Sequence, residues 1–161
     1  MEDYDSAIEK IRTEVKGDLS EVREEFLDNF GEDTERFVDL MANAFLRWSE
    51  LDGLAGQDEK KANVSGLVFS AITQHILSLR LFLSGYIVAA GNTQRQVLET
   101  IALALLCSCN QLDVLDRFRQ DQYSTNNAVR DALRQEDKLN VKSGALEVLR
   151  DSREVIRTGT I

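Results

Sequence analysis

The chain contains no proline among its 161 residues. A chain of this length would hold about eight at an average usage of about 5%. Proline breaks the interior of helices and is favoured in turns and edge strands. The alternation of apolar and polar residues that marks a strand is also absent. Together these absences predict an all-α protein whose long helices are joined by short turns containing Gly, Asn or Asp.

Cysteine and histidine are almost absent too, with two and one residues. Cys107 and Cys109 are two apart in a predicted helix, so their side chains point about 200° from each other and cannot face one ion. A di-metal bundle needs more than the single His75. Phosphate-binding glycine loops and the Gly-x-Ser-x-Gly nucleophile turn are missing. We therefore expect no metal, no cofactor and no catalytic residue, and two small buried thiols.

No Asp or Glu occurs between Lys61 and Leu98, although 28 of the 161 residues are acidic. After Glu99 the chain continues into a second apolar run, from Ile101 to Cys107. Helices that are apolar on most sides are typical of a buried position. We therefore predict an antiparallel bundle of about five to seven helices with two apolar central helices.

The net charge of −9 is unevenly distributed. Residues 1–60 hold 18 acids and 7 bases, whereas residues 61–161 hold 10 acids and 12 bases. Affinity for nucleic acid depends on Lys and Arg that displace counterions, so nucleic acid is not expected as a partner. The acidic amino-terminal part is either a solvated helix face or a surface that docks on a basic partner, or imitates nucleic acid.

The start of the chain, Met1-Glu2-Asp3-Tyr4-Asp5, is the reverse of a basic, then apolar, secretory leader. The stretch 64–90 is long enough to cross a bilayer, but it contains Gln74, His75, Arg80, four serines and two glycines. Free thiols suit a reducing compartment. We expect a cytoplasmic protein that is not embedded in a membrane.

An amphipathic stripe opens the chain. Its apolar residues recur every three or four positions, the period of a helix: Tyr4, Ile8, Ile11, Val15, Leu19, Val22, Phe26 and Phe30. Gly17 weakens a helix by about 1 kcal/mol relative to Ala, so a bend or break is expected there, and Gly31 is placed to end the helix. The stripe fits either the core of a monomer or one side of an intermolecular bundle.

Further helices follow along the chain. A loop over residues 52–58 separates acidic amphipathic helices in 1–52 from a core bundle in 59–161, within a single domain. Gly85 is expected at a kink or a close approach of helices, and Gly91-Asn92 at a turn. The remaining helices are predicted from about Asp33 to Leu51, Glu59 to either Ser84 or Ala90, Thr93 to Asn110, Leu112 to Tyr123, Ala128 to Leu139, and Ala145 to Ile156.

Two ionisable residues lie in the apolar helices, Arg80 in the first and Glu99 in the second. A buried carboxylate takes up a proton unless a cation pairs with it. Arg95, one helical turn before Glu99, can reach the carboxylate. We predict that Arg80 and Arg95 converge on Glu99 across the central helices.

That cluster has three interpretations. It is a buried ion pair that fixes the register of the helices, or a polar spot in an apolar cleft that binds an anion or small ligand, with His75 beside it. In the third, the two arginines reach solvent separately.

The segment Arg95-Gln96-Val97-Leu98-Glu99, preceded by Ala89-Ala90-Gly91, resembles a group of uncharacterised bacterial helical domains over about residues 60–120. Those domains carry Arg-x-x-x-Glu on an apolar helix, and some of their neighbours are HEPN-type domains that include ribonucleases. The ribonucleases use Arg followed, after four to six residues, by His. No Arg precedes His75 at that spacing, so the resemblance implies a non-cleaving relative or a partner-binding role.

Three functions remain open. The first is a non-enzymatic, self-associating interaction protein of bacterial or phage type, such as a regulator, an immunity factor or a defence component. The second is a ligand-binding or enzymatic domain that uses Arg80, Arg95, Glu99 and His75. The third is an acidic decoy that occupies a basic partner surface.

Overall fold

The computed structural model describes residues 4–139, 141 and 143–158. Those residues form α-helices and two single-turn 3₁₀ helices, with no strand among them, so the predicted all-α class is confirmed. The helices in chain order are α1 Tyr4–Lys16, α2 Ser20–Gly53, α3 Glu59–Leu83, α4 Ile87–Ser108, α5 Val114–Arg119, α6 Ala128–Arg134 and α7 Ser143–Thr158. The 3₁₀ turns cover Thr125–Asn127 and Glu136–Lys138.

Helix α4 is the most buried element among the described residues. It packs against α3 on one side and against α5, α6 and α7 on the other. Leu103 and Leu106 are 1% and 0% exposed. The apolar run that the sequence places after Glu99 therefore forms the centre of the molecule. The core around it contains Leu98, Ala102, Leu103, Leu106 and Cys107 of α4, together with Val114, Ala128, Ala132, Leu139, Leu146 and Leu149.

Helices α3 and α4 form the expected antiparallel central pair. Near the turn that joins them, the Ser78 hydroxyl donates a hydrogen bond to the Ala90 carbonyl at 2.9 Å. At the far end, Lys60 donates to the Asn110 side chain at 2.7 Å. The pair differs in burial: most residues of α4 from Val97 to Cys107 are buried, whereas α3 leaves part of its apolar surface exposed.

The turn after α3 depends on Gly85, which has a φ of +78°. Its N–H bonds to the Phe82 carbonyl, and the Tyr86 N–H bonds back to Leu81, which is a Schellman ending. A Cβ at Gly85 would lie 3.1 Å from Cγ1 of Val22 in α2, so the predicted close approach of helices is confirmed. Because the chain reverses here, the expected turn at residues 91–92 is wrong, and both residues lie inside α4.

The break at Gly17 is confirmed, since α1 ends at Lys16 and α2 begins at Ser20. The expected helix end at Gly31 is wrong. α2 continues to Gly53, with only a kink at Phe30 (φ −124°, ψ 19°). A glycine costs a helix about 1 kcal/mol, and packing outweighs this cost because Phe26 and Phe30 both contact Phe82 of α3, with ring centroids 5.1 and 5.3 Å apart.

The carboxy-terminal helices are shorter and more interrupted than expected. The predicted helix from Leu112 to Tyr123 covers only Val114–Arg119, because Asp121 adopts a positive φ of 56°. The predicted helix from Ala128 to Leu139 ends at Arg134 and continues as a 3₁₀ turn. The last helix begins two residues earlier than expected, at Ser143.

The burial of α4 predicts where truncation of a side chain is costly. Leu106→Ala empties a fully enclosed site, so we expect the free energy of unfolding to fall by about 2–5 kcal/mol. Val148→Ala, at a position on α7 that is 60% exposed, should change it by less than about 0.5 kcal/mol. Urea unfolding followed by far-UV circular dichroism measures both. Equal losses would show that α4 is not the core helix.

Candidate functional site

The Glu99 carboxylate is paired within its own helix. Arg95 Nε donates to Glu99 Oε1 at 2.9 Å. The Glu99 side chain is 12% exposed, whereas that of Arg95 is 52% exposed. The predicted Arg95–Glu99 pair therefore exists, and it links the core helix to the surface.

Arg80 does not join that pair, so the predicted convergence of two arginines on Glu99 is wrong. Arg80 is exposed and forms no ion pair with any described residue. The reason is helical geometry. Ser78 is an α3 side chain that faces α4, and Arg80, two residues later, points about 200° away from it.

His75 lies one turn before Ser78 on α3, where its side chain packs against α2. Its ring meets Phe37 edge to face, with centroids 4.9 Å apart. Burial lowers the pKa of His75 from its ordinary value. No hydrogen bond joins the imidazole to another described residue. The four predicted site residues thus separate into an ion pair, a surface cation and a half-buried histidine, and they do not form one site.

An apolar cleft lies over α3 between α2 and α4, and of the four predicted site residues only His75 lines it. Its volume is about 310 Å³. We call it the central cleft and define it by Met41 and Ala44 of α2, Ala71 and His75 of α3, and Ile101 and Ala104 of α4. At its other end are Val64 and Ser108. The sequence feature that could have indicated this cleft is one alanine on each of the three helices. Alanines at such positions are equally typical of helices that pack closely and leave no cleft.

The opposite side of the α2–α3 layer carries exposed apolar side chains. We call it the outer face and define it by Val38 and Phe45 of α2 and by Phe69 and Ile76 of α3. These side chains are 51%, 46%, 40% and 40% exposed. Phe69 is two residues before Ala71, so it points about 200° away from the central cleft.

Trp48 joins the helices beside the outer face. Its ring packs between Phe45 and Phe69, with centroid distances of 5.1 and 4.6 Å. Its Nε1 donates to the Ser65 hydroxyl at 3.0 Å, and that hydroxyl donates to Asp52 at 2.7 Å. Ser65 is 1% exposed. This network fixes α2 on α3 and satisfies the buried polar atoms.

The two cysteines differ in burial. Cys107 is 1% exposed, and burial raises the pKa of its thiol to about 11. Cys109 is half-buried and its thiol donates to the Lys138 carbonyl at 3.3 Å. No group of three potential metal ligands occurs among the described residues. The Cys107 thiol therefore acts as a small packing group, whereas the expectation of a second buried thiol is wrong because Cys109 lies just past the end of α4 and is only half-buried.

Comparisons of the chain with protein-family models, with curated proteins and with solved structures found no match. Among the described helices, only α3 is long and apolar enough to cross a membrane by length and composition, a test that the core helices of globular proteins also meet. The function is therefore inferred from the surfaces and the cleft alone.

The ion pair predicts an asymmetric response to mutation. Arg95→Met leaves a nearly buried carboxylate without its cation, so the free energy of unfolding should fall by about 1–3 kcal/mol. Glu99→Gln leaves a half-exposed guanidinium that water can solvate, and the loss should stay below about 1 kcal/mol. Urea unfolding of both variants tests this. A larger loss for Glu99→Gln would contradict it.

The lowered pKa of His75 predicts a pH dependence of stability. Below the unfolded pKa of about 6.5 the unfolded chain binds a proton that the folded state does not. The free energy of unfolding should therefore fall as the pH drops from 7 through 6 towards the folded pKa. His75→Gln should lose less stability over that range. Because the chain has one histidine, proton NMR of the imidazole gives the folded pKa directly, and a value at or above 6.5 would contradict the prediction.

Proposed function

We propose that this protein is a non-enzymatic helical interaction protein that self-associates through its outer face. The observation that carries the proposal is the exposure of α2. This helix is 34 residues long and amphipathic, yet none of its residues is buried. Its principal packing partner is α3. A long amphipathic helix that buries nothing completely in the monomer has surface available for another subunit.

The outer face suits a second copy of the same chain. Two antiparallel helices that pair face to face with two more form a four-helix bundle, and a two-fold axis brings the same patch onto itself. Val38 and Phe45 are seven residues apart, as are Phe69 and Ile76, so each pair lies along one side of its helix. Such a bundle would cover all four side chains.

The charges favour the same partner. α2 carries ten acidic and three basic residues, whereas α3 has no acid after Glu59. Arg80 is exposed on α3 without a partner among the described residues. The α2 helix of a second copy could supply carboxylates to Arg80. This charge pairing favours an arrangement in which α2 of one subunit lies beside α3 of the other.

Mass measurement tests the self-association. Size-exclusion chromatography with light scattering should give twice the monomer mass of 18.2 kDa. The double variant Val38→Asp with Phe45→Asp should be monomeric and folded, because it places carboxylates in an apolar contact. Val148→Asp, at an exposed apolar position on α7, is the control and should remain dimeric. A wild-type monomer at every concentration tested would refute the proposal.

The acidic-decoy alternative rests on the negative charge of α2. It predicts a complex with a basic partner that weakens steeply between about 50 and 200 mM salt. The apolar dimer should persist over that range, because burial of apolar surface is not screened. Association that disappears with salt would favour the decoy.

A further inference from the structure

The central cleft is a hollow between α2, α3 and α4, the three longest of the described helices. Ala44, Ala71 and Ala104, one from each helix, line it. Ala71 and Ala104 are 5% and 6% exposed, so they lie deep in the fold. A larger side chain at any of these positions would fill the space. The cleft is therefore a property of the folded monomer.

The helices around the cleft are held in place by contacts at and beyond its ends. Ser78 bonds to Ala90 and fixes α3 against α4. The Trp48–Ser65 hydrogen bonds fix α2 against α3 at one end, and the packing of Phe37 on His75 fixes them at the other. A preformed cavity binds a ligand without the cost of ordering it first.

The dimensions of the cleft select a small and elongated occupant. Its floor on α3 extends from Val64 to His75, eleven residues or about 16 Å along the helix axis. Its volume of about 310 Å³ is at the lower end of the range of small-molecule sites. A protein helix about 10 Å across is too wide for it. A single aliphatic chain or a small aromatic body has the right proportions.

The polar groups select an uncharged ligand. None of the described residues that line the cleft carries a formal charge at neutral pH. His75 lies at one end and has no hydrogen-bond partner among the described residues. Because burial favours the neutral imidazole, the ring offers one donor and one acceptor. Ser108 is at the other end, where its hydroxyl hydrogen is directed to the Leu105 carbonyl at 2.7 Å.

We propose that the central cleft binds an uncharged amphiphile, with its apolar body along the alanine-lined floor and a single hydroxyl or carbonyl group hydrogen-bonded to His75. This site is independent of self-association. Ala71 lines the cleft, whereas Phe69 belongs to the outer face on the other side of the same helix. Cleft and dimer contact can therefore be occupied at the same time.

Binding of the uncharged fluorophore N-phenyl-1-naphthylamine, with 1-decanol as competitor, tests the proposal on the full chain. We expect saturable binding of one probe per chain and displacement by the alcohol. Ile101→Trp places an indole at the rim of the cleft, where Ile101 is 38% exposed, and should weaken probe binding at least tenfold. Val148→Trp adds the same group on α7 and should leave binding unchanged. Thermal unfolding checks that both variants are folded.

A second variant tests the polar contact without blocking the cleft. His75→Phe keeps the ring packing and removes the hydrogen bond, so the affinity for 1-decanol should fall by about three- to tenfold. The affinity for the hydrocarbon decane should not fall with it. Equal losses for alcohol and hydrocarbon would overturn the assigned role of His75.

Two results would overturn the site itself. One is probe binding that Ile101→Trp and Val148→Trp change equally, which indicates adsorption to exposed surface. The other is binding to the monomeric Val38→Asp, Phe45→Asp variant but not to the wild-type dimer, which indicates that a second copy fills the cleft. If the wild type is monomeric and still binds one probe, the proposed function fails while the ligand site stands.

Discussion

The enclosure of α4 is the constraint on which the rest of the molecule depends. This helix has apolar or small side chains on nearly every side, and its only acid, Glu99, is neutralised from the surface by Arg95. Once α4 is covered by α5, α6 and α7 on one side, α3 has to cover the other side. α3 then has only its remaining surface to offer α2. The order of burial, from α4 to α3 to α2, explains why exposed apolar residues accumulate at the amino-terminal end of the fold.

The sequence predicted the class of fold and the central helices because both follow from one-dimensional patterns. The absence of proline and of alternating strands predicted an all-helical chain, and the acid-free stretch located α3 and α4. Helix ends were less predictable. Gly31 and Gly91 both had the local composition of a turn, yet tertiary packing kept each inside a helix, whereas Gly85 ended one because it adopts the positive φ that the Schellman turn requires.

The candidate site was harder to predict, for a physical reason. Arg80 and Glu99 looked like partners because each interrupts an apolar run. Whether two such residues meet depends on the rotation of each helix about its axis. A helix that is apolar on most sides has no polar face to indicate that rotation, so its hydropathy pattern does not reveal it. The position of the central cleft was hard to predict for a similar reason. Half of the residues that line it are alanines and valines, and a hollow depends on the spacing of three helices, which no single segment encodes.

The position of Trp48 has an optical consequence. It is the only tryptophan, its indole lies between Phe45 and Phe69 of the outer face, and Ala44 of the central cleft is one turn earlier on the same helix. The exposure of the Trp48 indole to solvent thus depends on the outer face and on the central cleft. The wavelength of its emission should shift to the blue when a subunit covers the ring. The intrinsic fluorescence of the unmodified chain is therefore a label-free indicator of its assembly.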